Sequence, residues 1–509
     1  MLYSFVTSNS KNKINTIYKK TQDISSSKLF MEESNGWYFV LKYQNEADLY
    51  TSICLKRNDK HYLIGEIYNL HEISIILASY DSEVLTSNAV ETVVSLVEHL
   101  GISGLSLIEG NFCMVSSLQD GSLRLVTDQL GQTRVFSVYG EDFYITSELK
   151  ALSLAESGIF DFHDFKDFNR LNKLYGDQFI PIKNCTRFLP GSVSVNKQLE
   201  EAYYTDSQKY SSISLGHNKQ ISQREAFDLI ESTLINSIKN CLKDAEHPVV
   251  TISGGLDSGI ISSITSKEIH EISTISIGTN ESNEFREASI VSQYIKSQHK
   301  EIVVSDEEIL FSVVKAIFYN EIFDGLSAEI QSGLFSVYQN VPENTDVLLT
   351  GYGADLIFGG ILDTTVKAED VNKILWQQIL RTRWTGEFSL LGAAQHNLRL
   401  RNPFWSSKVI SCFKDFAPSD KISNGEVKCL LKTYAEEKNL LPKEIIHRKK
   451  IGIHQGSSIN YIFGRLLSVD INDYNSKNIF TYNLYKAFLN AELSLKDLNS
   501  VDLLKKYWR

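Results

Sequence analysis

The sequence predicts two mixed folds in series, an α+β sandwich over residues 1–205 followed by a doubly wound α/β unit over residues 224–509. Three observations predict this. Short β-branched and aromatic runs, separated by glycines and polar turns, crowd the first part of the chain. A Ser-rich polar stretch, TDSQKYSSISLGHNKQISQ (Thr205–Gln223), then interrupts the pattern and marks a linker over 206–223. Beyond it, apolar strand-like runs alternate with helical patterns, which implies a parallel sheet with ligand sites at the carboxyl ends of its strands.

The elements follow in order. Trp37–Tyr43, His61–Ile67, Asn111–Ser116, Ser122–Thr127, Arg134–Tyr139 and Phe143–Thr146 read as strands, and Asn88–Leu100 reads as a helix with an Asn cap. Strands in two layers with helices outside make an αββα sandwich. After the linker, Arg224–Leu242 is a long amphipathic helix. It leads into the β-branched run Val249, Val250 and Ile252, the composition of a strand buried on both faces. Ile272–Ile277, Lys300–Val304 and Val347–Thr350 are further strands, with helices over Glu287–Ser297 and Asp306–Tyr319; from Val371 onward helical patterns dominate.

Composition narrows the function. With 42% hydrophobic and 22% charged residues over 509 positions, the chain is that of a globular protein with more than one core. A net charge of −11 argues against a nucleic-acid partner. The six cysteines, scattered without CxxC spacing, read as buried small hydrophobes in a reducing compartment. The N-terminus lacks a signal-peptide core and no run reaches about 18 apolar residues, so a cytoplasmic location without a membrane span is expected.

Four stretches carry chemistry. In SGGLDS, a strand runs through a glycine turn into a helix, so backbone N–H groups and a helix N-terminus face one spot. Gly254 and Gly255 let the backbone approach phosphate oxygens, and Ser253 and Ser258 add hydroxyl donors. Asp257 fits an anion site only if a divalent cation lies between it and the phosphates. No Lys precedes Ser258, so this is not a Walker A loop. The second stretch, LLTGYGADLIFGG, presents Gly351, Tyr352 and Asp355 after another strand, with Tyr352 as a packed surface tyrosine the plainer reading. In RTRWTGEF, Trp384 and Phe388 stand at helical core spacing, and Glu387 taken alone reads as a solvated helix residue. The fourth, LPKEIIHRKKIGIHQGSS, sets Arg448, Lys449 and Lys450 before a glycine turn, a solvated face unless phosphate meets it.

The hexapeptide SGGLDS resembles the PP-loop of the ATP pyrophosphatases. IEGNFCMV (Ile108–Val115), LRLVTDQLGQTRVF, YITSELKAL and TRFLPGSV are similar to the Ntn-type glutaminase half of asparagine-synthetase-type amidotransferases. That half needs an N-terminal Cys, and Leu2 stands there, so an inactive scaffold is expected. Leu2, GYGAD and KIGIH resemble the β-lactam-forming branch of the family. YNEIFDGLSAEIQSG (Tyr319–Gly333), RTRWTGEF and RKKIGIHQGSS resemble the carbapenam synthetases within it. The resemblance implies ATP and Mg²⁺, with Asp257 and Asp355 on the metal. It places Lys428, Ile277 and Gly351 with the loop residues around ATP and pyrophosphate, and makes Tyr352, Glu387 and Lys450 the catalytic groups. It further implies the small-molecule substrate 5-carboxymethylproline and a homo-oligomer, with a tetramer as one form. Three alternatives stay open: ring closure on N2-(2-carboxyethyl)arginine, an amide ligase or peptide cyclase, and a non-catalytic scaffold.

Overall fold

A computed structural model describes residues 1–24, 27–80, 88–167, 180–196, 198–202, 221–413, 416–449, 456–494 and 505–507. Two six-stranded antiparallel sheets form the first part. One has the spatial order Cys185–Arg187, Phe136–Tyr139, Phe143–Thr146, Leu2–Ser8, Trp37–Tyr43, Lys28–Ser34; the other Gln198–Ala202, Ser192–Val195, Leu123–Thr127, Gly110–Ser117, Asp59–Ile67, Ile53–Lys56. Between them lie Phe5, Phe39, Leu41, Tyr62, Ile64 and Val115. Lys11–Ile24 covers the outside of the first sheet through Ile14 and Ile17. Leu70–Ala78 and Ala89–Leu100 cover the second through Ile73, Leu77, Val93 and Leu96, completing four layers. Asn88 caps the last of these helices as expected, accepting from the N–H groups of Val90 and Glu91.

The sequence reading missed strands Leu2–Ser8, Lys28–Ser34, Ile53–Lys56, Cys185–Arg187, Ser192–Val195 and Gln198–Ala202. Leu2–Ser8 is buried at every position, because one face meets the inter-sheet core and the other the helix Lys11–Ile24. No alternation is left to mark it.

The second part is built on a five-stranded sheet, parallel throughout, in the order Gln298–Val303, Ser273–Gly278, Pro248–Thr251, Val347–Leu349, Arg399–Arg401. Its last strand lies in the region beyond Val371 where helical patterns dominate, and it was not read from the sequence: three residues are too short a run to show a period. Helix Gln223–Leu242 opens on a Ser222–Glu225 capping box, so it begins inside the expected linker; residues 206–220 of that linker lie outside the described residues. Phe227, Ile230, Leu234 and Ile238 on one face of this helix pack in one core with Ile260, Ile261 and Ile264, each buried side chain contributing about 1.5–3 kcal/mol.

This strand order has a switch point between Pro248–Thr251 and Val347–Leu349, where the chain leaves for opposite sides of the sheet. Ligands bind outside the carboxyl ends of strands at such a point. A single apolar cluster runs from the first sheet (Val40, Val138, Tyr144) into the helices Asp306–Asn320, Gly325–Tyr338 and Tyr474–Leu489. All six cysteines are free; Cys412 and Cys429 are only half-buried, where full burial was expected. No helix among the described residues is long and apolar enough to cross a membrane.

Candidate active site

The two loops at the switch point pack directly on each other. After strand Pro248–Thr251, the Ser253 N–H and hydroxyl both lie 3.1 Å from the Ser258 hydroxyl, which folds the loop over. Gly254 has φ +66°, and a Cβ there would sit 2.9 Å from the Ala288 nitrogen, so both conformation and space demand glycine. Gly255 then starts helix Leu256–Glu268 with no side-chain cap, which leaves the first-turn N–H groups facing the loop's concave side. From the neighbouring strand, Gly351 lies so close that a Cβ would be 2.5 Å from the Ser258 nitrogen.

That approach unites the two aspartates on one ammonium. Lys428 Nζ lies 2.6 Å from Asp257 Oδ1 and 2.6 Å from Asp355 Oδ1, with its side chain 3% exposed. The lysine reaches there because the Asn424–Gly425 turn of the hairpin Ile422–Ser423/Glu426–Val427 returns the chain, and Lys428 itself takes a left-handed φ of +59°. Expected on phosphate oxygens, Lys428 is found as the shared counter-ion of both carboxylates. Two hard carboxylates within reach of one cation fit Mg²⁺ completed by phosphate oxygens and water. No group of three or more His, Cys, Asp or Glu side chains converges on a metal position among the described residues.

Tyr352 and Glu387 meet on the same cleft. Helix Ala368–Thr382 ends before Trp384, so Glu387 lies in a turn and not on the helix its spacing suggested. It is far from solvated. The Tyr352 hydroxyl donates to Glu387 Oε2, and the Ser327 hydroxyl donates to Oε1 at 2.9 Å. Phe388 stacks on Trp405 at 4.3 Å and packs on the Tyr352 ring at 4.6 Å, fixing the phenol; Tyr352 is a packed tyrosine and a cleft residue at once. Burial, with Asp324 adding negative charge, pushes the Glu387 carboxyl above the usual range despite the bonds from Tyr352 and Ser327. Burial and then the Glu387 charge push the Tyr352 phenol well above 10.

One cleft of about 680 Å³ brings together Ser253, Asp257, Ser258, Ile277, Gly351, Tyr352, Asp355 and Glu387. Gly254 and Gly255 belong to the loop between Ser253 and Ser258, and Lys428 holds the two aspartates; none of the three is among the lining residues. Lys450 lies outside the described residues. Its neighbour Arg448 reaches the Ser253–Ser258 loop, with Nη1 2.6 Å from Glu284 Oε1 and 3.4 Å from the Gly254 carbonyl, while Lys449 is exposed. Arg448 carried a signal in its charge run. Ser327 and Glu284 carried none.

The Asparagine synthase family profile matches residues 229–392 and 391–494 of the 509. The chain belongs to that family and is a ligase forming C–N bonds. Residues 50–213 match a second profile, "Carbapenam-3-carboxylate synthase, N-terminal", so both parts of a carbapenam-synthase-type chain are present. The chain is 25% identical over 420 residues to the carboxyethyl-arginine beta-lactam-synthase of Streptomyces clavuligerus, covering 80% of this chain and 75% of that one. It is 29% identical over 239 residues to the glutamine-hydrolyzing asparagine synthetase of Mesocricetus auratus, spanning 43% of this chain and only 42% of the relative. Among solved structures, NMN synthetase from Francisella tularensis aligns at 12% identity and a TM-score of 0.27, covering 54% of this chain and 98% of that one.

Proposed function

We propose that the protein closes the β-lactam ring of (2S,5S)-5-carboxymethylproline, giving (3S,5S)-carbapenam-3-carboxylate with cleavage of ATP to AMP and pyrophosphate, a step of carbapenem antibiotic biosynthesis. The observation that carries this reading is the Tyr352–Glu387 contact on the same cleft as the phosphate loop. A carboxylate is a poor electrophile and a four-membered ring is strained, so the side-arm carboxylate must first become an acyl-adenylate. The loop N–H groups, Ser253 and Ser258 hold the phosphates for that step, with Ile277 and Gly351 shaping the nucleotide's seat. Asp257 and Asp355 would hold Mg²⁺, which supplies charge neutralisation on the triphosphate, and Lys428 turns from the carboxylates to the pyrophosphate.

The ring nitrogen must then lose a proton before it attacks. With its pKa raised, Tyr352 is protonated at rest and acts as a relay. Its oxygen takes the nitrogen's proton as its own proton passes to Glu387, whose raised proton affinity favours that direction. The nitrogen bonds to the acyl carbon, the bond from that carbon to the phosphate oxygen breaks, and AMP leaves; Lys450 steadies the oxyanion. Leu326, Ile330, Leu334 and Val337 wall the cleft and exclude water from the adenylate.

The alternative substrate N2-(2-carboxyethyl)arginine carries a guanidinium that needs a carboxylate. Among the described residues each carboxylate lining the cleft is engaged: Asp257 and Asp355 by Lys428, Glu284 by Arg448, Glu387 by Tyr352 and Ser327. This favours the proline substrate. The proposal also takes residues 1–205 as an inactive Ntn-glutaminase-like domain, 206–223 as a linker, 224–509 as the PP-loop synthetase domain, and the working form as a homo-oligomer in the cytoplasm. Incubation with ATP, Mg²⁺ and 5-carboxymethylproline should give a product lighter by one water in mass spectrometry. Preference for the arginine derivative in competition, or dependence on ammonia or a peptide, would contradict the reading.

A further inference from the structure

Helix Gly325–Tyr338 has two faces. Leu326, Ser327, Ile330, Gln331 and Leu334 line the cleft. With 3.6 residues per turn, Gly325 and Glu329 fall on the opposite side, toward helix Tyr474–Leu489. There Glu329 Oε2 meets Lys477 Nζ at 2.5 Å with both side chains 0% exposed. The same ammonium donates to the Ile471 carbonyl at 2.6 Å and the Asn460 carbonyl at 3.3 Å, and the Tyr474 hydroxyl donates to Glu329 Oε1 at 3.2 Å. One turn away the Gly325 N–H donates to Asn478 Oδ1 at 2.7 Å, and a Cβ at Gly325 would lie 2.7 Å from the Lys477 Cβ.

A fully buried ion pair is a poor route to stability, since well-packed apolar residues of similar volume are often neutral or better. What the pair supplies is direction. Leucine and methionine in this contact would tolerate a rotation of the helix; an ammonium shared among a carboxylate and two carbonyls does not. Ser327 lies half a turn from Glu329, and its hydroxyl is the group that holds Glu387 Oε1.

We infer that Glu329 and Lys477 are positioning residues, locking the rotation and register of helix Gly325–Tyr338 so that Ser327 keeps Glu387 aligned on Tyr352. This rests on the Tyr352–Glu387 relay proposed above. Glu387 is faced by Tyr352, Asp324 and Arg381, and by the Ser327 hydroxyl, which favours its charged form. Loosening the helix weakens that last bond and raises the pH at which Glu387 takes up its proton.

The test is the double variant Glu329→Leu/Lys477→Met. Its thermal midpoint and its ATP–pyrophosphate exchange with 5-carboxymethylproline should stay near wild type. Its single-turnover ring closure should fall by about tenfold or more, as small misplacements do. The acid limb of that rate should move to higher pH. Wild-type closure with an unmoved acid limb, or equal loss of exchange and closure, overturns the inference. If the double variant does not fold, Asn478→Ala, which removes only the Gly325 tie, should show the same split at smaller size, and its absence counts equally against. Glu387→Gln serves as the control: normal closure in that variant sinks the relay itself, whereas a collapsed Glu387→Gln beside a normal double variant sinks only the clasp.

Discussion

In the antiparallel sandwich buried charges such as Asp128 and Glu148 rest on fixed partners, whereas at the switch point of the parallel sheet four ionisable groups converge on open space. Asp128 accepts the N–H groups of Leu130, Gln132 and Thr133 at 3.0–3.1 Å, and burial pushes its carboxyl up to about 6. Glu148 lies between Lys42 and Lys150. Arg187 donates to the carbonyls of Gly131 and Arg383, and Arg383 returns a bond to the Gln129 carbonyl. These charges hold a loop or the joint between the two parts. Asp257 is buried and Asp355, Tyr352 and Glu387 are half-buried, and all four line the cleft. Burying a charge costs free energy in either place. The lesson is that burial alone does not mark function; charge that is buried and still borders a cavity does.

The contrast can be broken in four places, taken from the largest expected effect. Lys428→Ala leaves Asp257 and Asp355 repelling each other in a buried site. Stability should fall by about 3–5 kcal/mol in denaturant titration, and ATP–pyrophosphate exchange by about 10²–10³-fold. Exchange within a few-fold of wild type would put the lysine outside the chemistry. Leu2→Ala should cost about 2–5 kcal/mol, because Leu2 is 0% exposed between the sheets. The rate per folded molecule should not change; a changed rate would mean that the sandwich takes part in the reaction.

Ser327→Ala removes a hydrogen bond that aligns Glu387 and lowers its pKa, so ring closure should fall by about tenfold or more and its acid limb should shift to higher pH. A shift to lower pH would reverse the assigned role. The smallest effect belongs to Glu148. Burial would raise its carboxyl pKa, but Lys150 and Lys42 outweigh this and hold it well below the usual range. Its contribution is therefore present above the ordinary carboxylate pKa and is lost as pH falls through and below it. Glu148→Gln should flatten the acid side of the stability profile measured by thermal melts, with no effect on exchange.

How much of this could be read from the sequence follows from the range of each contact. The placement of the Ser253–Ser258 loop, Asp257, Gly351 and Asp355 on strand-to-helix turns was legible because strand, glycine turn and helix are local. Exposure did not decide which antiparallel strands were legible: Asn111–Ser116, buried at every position, showed through its apolar run, whereas Lys28–Ser34, with an exposed alternating face and charged residues, did not. Glu387 was placed on a helix because Trp384 and Phe388 keep helical spacing. In the fold, Phe388 stacks on Trp405 and Arg187 lies over the Trp384 ring at 4.6 Å, so tertiary partners override the period. Ser327, Glu284 and the Glu329–Lys477 pair were invisible for the same reason. Their partners stand far along the chain, and nothing in a lone Ser or Glu announces a partner sixty or more residues away.

The central claim is that one cleft activates a carboxylate and then frees the nitrogen that attacks it, by separate groups. Tyr352→Phe tests it most directly, because it removes a single oxygen and leaves the ring packed on Phe388. The account predicts that ATP–pyrophosphate exchange persists near the wild-type rate while carbapenam formation in a single turnover falls by about 10²-fold or more. Loss of both steps in equal measure, or of neither, would contradict it.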